Sequence, residues 1–385
     1  MKIALVYPLL EEVGGAERLT LDMYRALRDL GHEVDLYTAH LNEDAWQVLT
    51  GDTDDIPMPT VLREPLIELI DRLFNRALLL RVLLAAPYLG KHAKKLRHRY
   101  DLIIETESNV PLKWTDASYI QAFPPAELPK YYLYIERLKL SLHERIYNSL
   151  IAWWARSIAD RTKPVMVNSA WTAKYTREAY GSRRVYVVHP PVNVEELSSI
   201  GGGRGKVVLT VSRIDWAKRV TEIPEVAKLV PEAEFYLVGS TRLASGPVLE
   251  ILKERAERLR NFHVETDVPR RRILELMSQA SIYLHPPLAE HFGIAIAEAA
   301  AAGLVPVVYR DGGGWTDIAS RVDQGLGYTS VEEAARIVRL LLNDAERLKA
   351  LSAKAREVAR EFSYENFKIR LNEVIKELAE PTAKR

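Results

Sequence analysis

The chain has 385 residues, enough for two α/β domains and too many for one compact core. Lys and Arg total 53 against 52 Asp and Glu, so no global field favours nucleic acid. With no cysteine, disulfides, thiolate metal sites and a cysteine nucleophile are excluded.

The opening MKIALVYPLL lacks the long apolar region and small-residue cleavage site of a secretory signal, and Glu11 and Glu12 follow at once. No apolar run reaches the roughly 18 residues of a spanning helix. The nearest, residues 77–90, is interrupted by Arg81 and Pro87. A cytoplasmic location is expected, at the cytoplasmic face of a membrane if the chain touches one.

Residues 2–7 read as a buried strand. A turn at Gly14-Gly15 leads into an amphipathic helix carrying Leu19, Met23, Leu27 and Leu30. Gly31 ends it as a C-cap, and 32–38 (HEVDLYT) form the next strand. This is a βαβ unit, which implies a parallel sheet with right-handed crossovers. Further strands are expected at 102–106, 119–122, 165–168 and 185–188. Asn168-Ser169 begins a helix that Gly181 closes. Pro190-Pro191 and the glycine-rich 201–205 then read as a linker. Beyond it the pattern restarts, with strands at 206–211, 233–239, 262–265, 280–285 and 305–309. The fold class is α/β, with two doubly wound domains facing each other across a cleft. Ligands in such sheets bind at the carboxyl ends of the strands.

Glu290 and Glu298 bracket the most informative stretch, AEHFGIAIAEAAAAG. A charged Glu among alanines calls for a polar partner. Their spacing is about 2.2 helical turns, so they point roughly 80° apart if both are helical and need not touch one atom. Arg213 and Lys218 lie just past the first strand of the second half. A planar fork and a mobile point charge there suit a diphosphate. Gly14 and Gly15 follow the first strand of a βαβ unit, where positive φ would let backbone approach a ligand. Glu105, Glu107 and Asn109 end a strand of the first half and can either bind an acceptor or cap the next turn. The DTDD run at 52–55 mimics a metal-binding D-x-D but has no strand before it, and reads as a loop. Residues 66–99 and 131–156 are amphipathic and basic, so they are either membrane-surface helices or ordinary core helices with solvated faces.

Three elements of the second half carry a resemblance to the family-4 glycosyltransferases of GT-B type. They are VSRIDWAK at 211–218, Glu290-His291-Phe292-Gly293-Ile294 running to Glu298 (the family's E-x7-E motif), and the strand 305–309 followed by Gly312-Gly313-Gly314. The Gly14-Gly15-Ala16-Glu17 turn and the LGHEV strand entry at 30–34 also match. The look is most similar to mannosyltransferases that extend lipid-linked oligosaccharides.

The resemblance implies two Rossmann-like domains, an N-terminal acceptor domain at 1–195 and a nucleotide-sugar domain at 196–363. A C-terminal helix at about 364–385 is expected to pack back on the first. It implies a retaining hexosyltransferase that needs no metal or cofactor. The donor would be a nucleotide-sugar, GDP-mannose first, and the acceptor a glycan or lipid-linked hydroxyl, with no nucleic-acid partner. Arg213, Lys218 and Glu290 are the expected catalytic residues. Glu290 would read the sugar and Glu298 the ribose, with the backbone of Phe292, Gly293 and Ile294 at the phosphate and His291 among the donor-binding residues. Val268, in the loop 267–269, would meet the base near the strand ends Ser212 and Gly239, and Gly14 and Gly15 would line the donor. Glu107, Asn109 and Gln121 are the acceptor candidates. Gln121 stands where many relatives carry a histidine, which removes a titratable group from that position. A UDP-sugar donor (glucose or N-acetylglucosamine), a sugar-nucleotide epimerase and a degenerate binding protein are the alternatives.

Overall fold

The computed structural model describes residues 1–11, 13–51, 56–62, 78–130, 141–201, 205–241 and 245–380. The DTDD run, residues 202–204 of the linker, and 66–77 and 131–140 of the two basic segments lie outside these. The chain forms two compact units, Met1–Pro190 with the chain from Glu365 onward, and Pro191–Tyr364.

The first unit is built on a seven-stranded sheet. Its spatial order is Thr60–Val61, Glu33–Thr38, Lys2–Val6, Leu102–Glu105, Ala117–Ile120, Val165–Val167 and Val185–Val187. Every pairing is parallel. Strands covered on both faces must be apolar along their length, as KIALV and LIIE are. The second unit has six parallel strands, in the order Phe262–Thr266, Glu234–Ser240, Val207–Arg213, Ile282–His285, Val305–Tyr309 and Gly327–Tyr328. In both sheets the chain starts in the middle, builds outward one way, then returns to build the other way. That reversal leaves a crevice beyond the carboxyl ends of Lys2–Val6 and Leu102–Glu105, and another beyond Val207–Arg213 and Ile282–His285.

Local chemistry fixes the joints. Gly31 takes φ 83° after the Gly15–Asp29 helix, and Gly181 takes φ 64° after Ala170–Tyr180. Ser169 accepts the Thr172 N–H at 3.0 Å to open the latter. The strand expected at 119–122 lies at Ala117–Ile120 instead. Ala117 and Ser118 are buried and pair with Ile104 and Glu105, although small and polar residues give little strand signal. Among the described residues four two-residue strands, Leu9–Leu10 and His40–Leu41 included, are too short for any periodicity to reveal.

Of the basic segment 66–99, the described helix Leu78–Leu96 is a core element. Leu83, Ala86, Leu89 and Ala93 are buried, and the buried Arg81 forms a two-pronged pair with the half-buried Glu11. Among the described residues no helix is long and apolar enough to cross a membrane.

Candidate functional site

The second unit's crevice holds a compact ionic cluster. Lys218 lies in a short 3-10 turn, Trp216–Lys218, which Asp215 opens by accepting the Lys218 N–H at 2.9 Å. The Lys218 Nζ reaches Glu290 Oε2 at 2.6 Å. The same oxygen lies 3.0 Å from Nε2 of His285, the last residue of its strand. Burial would raise the Glu290 carboxyl, but the Lys218 charge and the hydrogen bonds from His285 and Lys218 overcome it and hold the group well below the usual carboxylate range. Burial pushes His285 down, with Glu290 opposing, so the ring is neutral near pH 7. A neutral imidazole facing a carboxylate carries its proton on Nε2. The buried Nδ1 then has no hydrogen-bond partner among the described residues.

Arg213 ends the neighbouring strand and stays 45 % exposed, held only loosely by Asp215 at 3.8 Å. It is a cation available to a ligand. His291 follows Glu290 and is depressed to about 4 by burial, with Glu290 opposing and Lys218 and Arg213 adding to the fall. An unfolded histidine near 6.5 takes up a proton that the folded one refuses until about pH 4. Stability tied to His291 is therefore present above pH 6.5 and lost as pH falls through that window. Allowing for its partial exposure, His291→Asn is expected to remove about 2–3 kcal/mol of the wild-type loss between neutral and acid pH. Melting curves across that range check this, and parallel curves for the two proteins would contradict it.

Glycines set the geometry of this loop. Gly293 takes φ 90° as N-cap of Ile294–Ala301, leaving the N–H groups of Ile294 and Ala295 without intrahelical partners. Gly312, at φ 85°, bridges to Glu290, and the Gly313 N–H donates to the Glu290 carbonyl at 2.6 Å. A Cβ on Gly312 would sit 2.4 Å from the Glu290 carbonyl oxygen, and one on Gly313 would sit 2.2 Å from that of His291. Asp311 accepts the N–H of Ala289, itself at φ 53°. The two loops are thus pressed backbone to backbone.

The remaining donor candidates belong to the same unit. Glu298 lies within Ile294–Ala301, 15 % exposed, and pairs with Arg270 at 3.1 Å. Arg270 begins the helix Arg270–Gln279, directly after the loop carrying Val268. Ser212 pairs in register with Gly239. A Cβ on Gly239 would meet the Ile214 side chain at 2.4 Å, so close packing requires that glycine. Sequence reasoning passed over His285, Arg270 and the role of Gly312-Gly313. The available signal for His285 was its strand-end position five residues before Glu290. Among the described residues no group of three or more His, Asp and Glu side chains could hold a metal ion.

The first unit brings its acceptor candidates together at its own crevice. Glu105 is buried and accepts from the backbone of Glu107 and Ser108 and from the Ser108 hydroxyl, so it caps the turn. Burial raises it to about 7 against those hydrogen bonds. Glu107 is half-buried and accepts the Leu9 N–H at 2.7 Å. Burial lifts it well above the ordinary range, the Leu9 bond opposes, and Glu105, Glu17 and Glu11 add to the rise. Asn109, at φ 56°, spends its amide on structure, accepting from the N–H groups of Gln121 and Ala122 and donating to the Glu107 carbonyl. Gln121 donates to the Thr106 carbonyl at 2.6 Å. The expected positive φ at Gly14 and Gly15 is not found. Gly14 is an extended N-cap, φ −149°, and Gly15 is already helical. What Gly14 provides is room, since a Cβ there would lie 2.8 Å from the Glu17 carboxylate.

Two family models cover the chain nearly end to end. The one described as "Glycosyltransferase Family 4" matches residues 13–196, and "Glycosyl transferases group 1" matches 200–358. The chain is 26 % identical over 267 residues to a Dictyostelium discoideum GDP-Man:Man(3)GlcNAc(2)-PP-Dol alpha-1,2-mannosyltransferase, a match covering 62 % of this chain and 52 % of that one. Identity to the human protein of the same name is 24 % over 253 residues, 60 % of this chain and 51 % of that one. The matches span about half the length of these curated relatives. Among solved structures, Anabaena HepE in complex with UDP superposes with a TM-score of 0.71 at 18 % identity, covering 98 % of this chain and 100 % of that one. The lipopolysaccharide glycosyltransferase WaaG gives 0.65 at 16 %, covering 97 % and 99 %. With its two switch-point sheets and its E-x7-E segment, the chain belongs to the family-4 glycosyltransferases of GT-B fold.

Proposed function

We propose that the chain is a retaining hexosyltransferase that moves mannose from GDP-mannose to a hydroxyl of a glycan or lipid-linked acceptor. The observation that carries this is the Lys218–Glu290–His285 cluster beside Arg213 at the mouth of the second crevice. Lys218 and Arg213 stabilise the departing diphosphate, where negative charge develops most. The free N–H groups at the start of Ile294–Ala301 face the same charge. Glu290, kept ionised, accepts hydrogen bonds from the sugar hydroxyls. Glu298 exchanges its Arg270 contact for the ribose hydroxyls. The bond from the anomeric carbon to the phosphate oxygen breaks while the acceptor oxygen bonds to the same face. The acceptor proton passes to the leaving phosphate. No resident metal takes part.

In the first unit, Glu107 is the acceptor candidate with chemistry to spare. Burial raises its carboxyl above the ordinary range, and the half-buried side chain offers its oxygens to an acceptor hydroxyl. Asn109 and Gln121 shape the turn that holds it.

The mannosyl donor rests on the names of the relatives, so a panel of nucleotide-sugars is the direct test. GDP-mannose at about a hundred times its Kd should stabilise the fold by about 2.7 kcal/mol, with UDP-glucose and UDP-N-acetylglucosamine giving smaller shifts. A larger shift with a UDP-sugar would reassign the donor. No shift with any of them would overturn the transferase reading. Nucleotide release without an acceptor would favour an epimerase.

A further inference from the structure

Two donors meet on one oxygen of Glu290, and they differ in how firmly they are held. Lys218 reaches it on a long flexible stem from a 3-10 turn with no buried residue, so its Nζ is a mobile point charge. His285 is buried at the end of Ile282–His285, a strand paired by Val207–Arg213 on one side and Val305–Tyr309 on the other. Its ring lies 5.9 Å from that of Tyr283, with 20° between the planes. The Tyr283 hydroxyl donates to the Val211 carbonyl at 2.8 Å, which ties the stacked pair to the neighbouring strand. The Tyr328 hydroxyl donates to the His285 carbonyl at 3.1 Å. A ring packed and anchored in this way cannot follow a moving partner, so it sets the partner's position.

The consequence for Glu290 is geometric. Both contacts fall on Oε2, 2.6 Å from Lys218 and 3.0 Å from His285, and Oε1 accepts no hydrogen bond among the described residues. The rigid donor fixes the rotation of the carboxylate, which the mobile one alone would leave loose. Oε1 is then turned outward in a constant direction, with its lone pairs unspent. His285 also frees Lys218. As Nζ turns toward a charged ligand, Oε2 would lose its partner in a half-buried place, and the imidazole N–H keeps that oxygen paired.

We infer that His285 is a positioning residue of the transfer site: its Nε2–H holds Glu290 Oε2, so that Oε1 meets the transferred sugar while Lys218 is released to the diphosphate. The inference rests on the hexosyltransferase reading above. Three variants of the full chain test it. His285→Phe keeps a ring against Tyr283 and loses the N–H. It should lower kcat by about tenfold to a hundredfold, the cost of a misplaced contact group. The donor KM should stay within about threefold of wild type, and the Kd of GDP alone (UDP if the donor panel selects it) within about twofold, because the free nucleotide carries no sugar for Glu290 to read. His285→Gln places an amide N–H the same number of bonds from the backbone as Nε2, and should bring kcat back to within about fivefold of wild type. His285→Leu, smaller and without the N–H, should lose as much kcat as His285→Phe whatever the two melting temperatures. A kcat within about twofold of wild type in His285→Phe, no recovery in His285→Gln, or losses that follow the melting temperatures would each overturn the inference and leave the transferase reading intact. A wild-type chain that turns over no nucleotide-sugar would overturn both.

Discussion

Lys218→Ala is expected to lower kcat by about a thousandfold, the effect of removing one preorganised partner from a developing oxyanion. The same change removes the cation that keeps Glu290 ionised. Glu290 is 14 % exposed and Lys218 22 %, so the orphaned carboxylate should cost about 2–3 kcal/mol, below the full penalty of a completely buried pair. These effects can be separated. Adding Glu290→Gln to Lys218→Ala removes the stranded charge, so the melting temperature should recover while activity stays lost. Lys218→Arg should keep stability but not full rate, because a planar guanidinium cannot take the position of a point charge 2.6 Å from the carboxylate. Steady-state kinetics with the donor that stabilises the fold, read beside melting curves, decide the matter. A Lys218→Ala variant within about tenfold of wild-type kcat would remove Lys218 from the chemistry. Additive losses in the double variant would show that the two groups act independently.

The pairing of Lys218 with Glu290 was beyond the sequence, although both residues were legible as candidates. Seventy-two positions separate them, and only the sheet order, which places Ile282–His285 beside Val207–Arg213, brings their loops together. Elements were legible where apolar runs are continuous, as in residues 2–6 and 305–309, and where caps are explicit, as at Ser169, Gly181 and Gly31. They were missed where the strand is two residues long, or where small residues such as Ala117 and Ser118 pair by virtue of tertiary context. Side-chain roles were harder still. Asn109 carries the same amide whether it meets an acceptor or ties a turn, and only its partners show that it does the second. Glu298 reads as a ribose ligand in sequence, while the fold gives it an arginine partner, with which the proposed ribose contact would have to compete. His285 was passed over because a single histidine has no pattern. Its meaning appears only with Glu290 3.0 Å away.

Gly313→Ala is expected to disable the site without unfolding the chain, although residue 313 is not one of the proposed ligand contacts. The added Cβ would stand 2.2 Å from the His291 carbonyl oxygen and 2.9 Å from the Phe292 Cα. Both are backbone atoms, so no side-chain rotation relieves the clash and the 290–293 loop must move. The strain should cost about 1–3 kcal/mol, the usual range for an overpacked buried position. The catalytic cost should be larger. A displacement of about 1 Å moves the Glu290 carboxylate and the helix entry at Gly293 together, and misplacement of that size costs about a hundredfold in rate. The Gly313 N–H that donates to the Glu290 carbonyl would be strained by the same movement. Gly239→Ala serves as the control in the same sheet. There the nearest atoms belong to the Ile214 side chain, at 2.4 and 2.8 Å, and only the Ser212 carbonyl, at 2.9 Å, is backbone. Ile214 must shift there but the 290–293 loop need not, so the loss of activity should be smaller than at Gly313 for a similar loss of stability. Equal activity losses at equal stability in the two variants would mean that the glycine loop stabilises the unit in general and does not position Glu290.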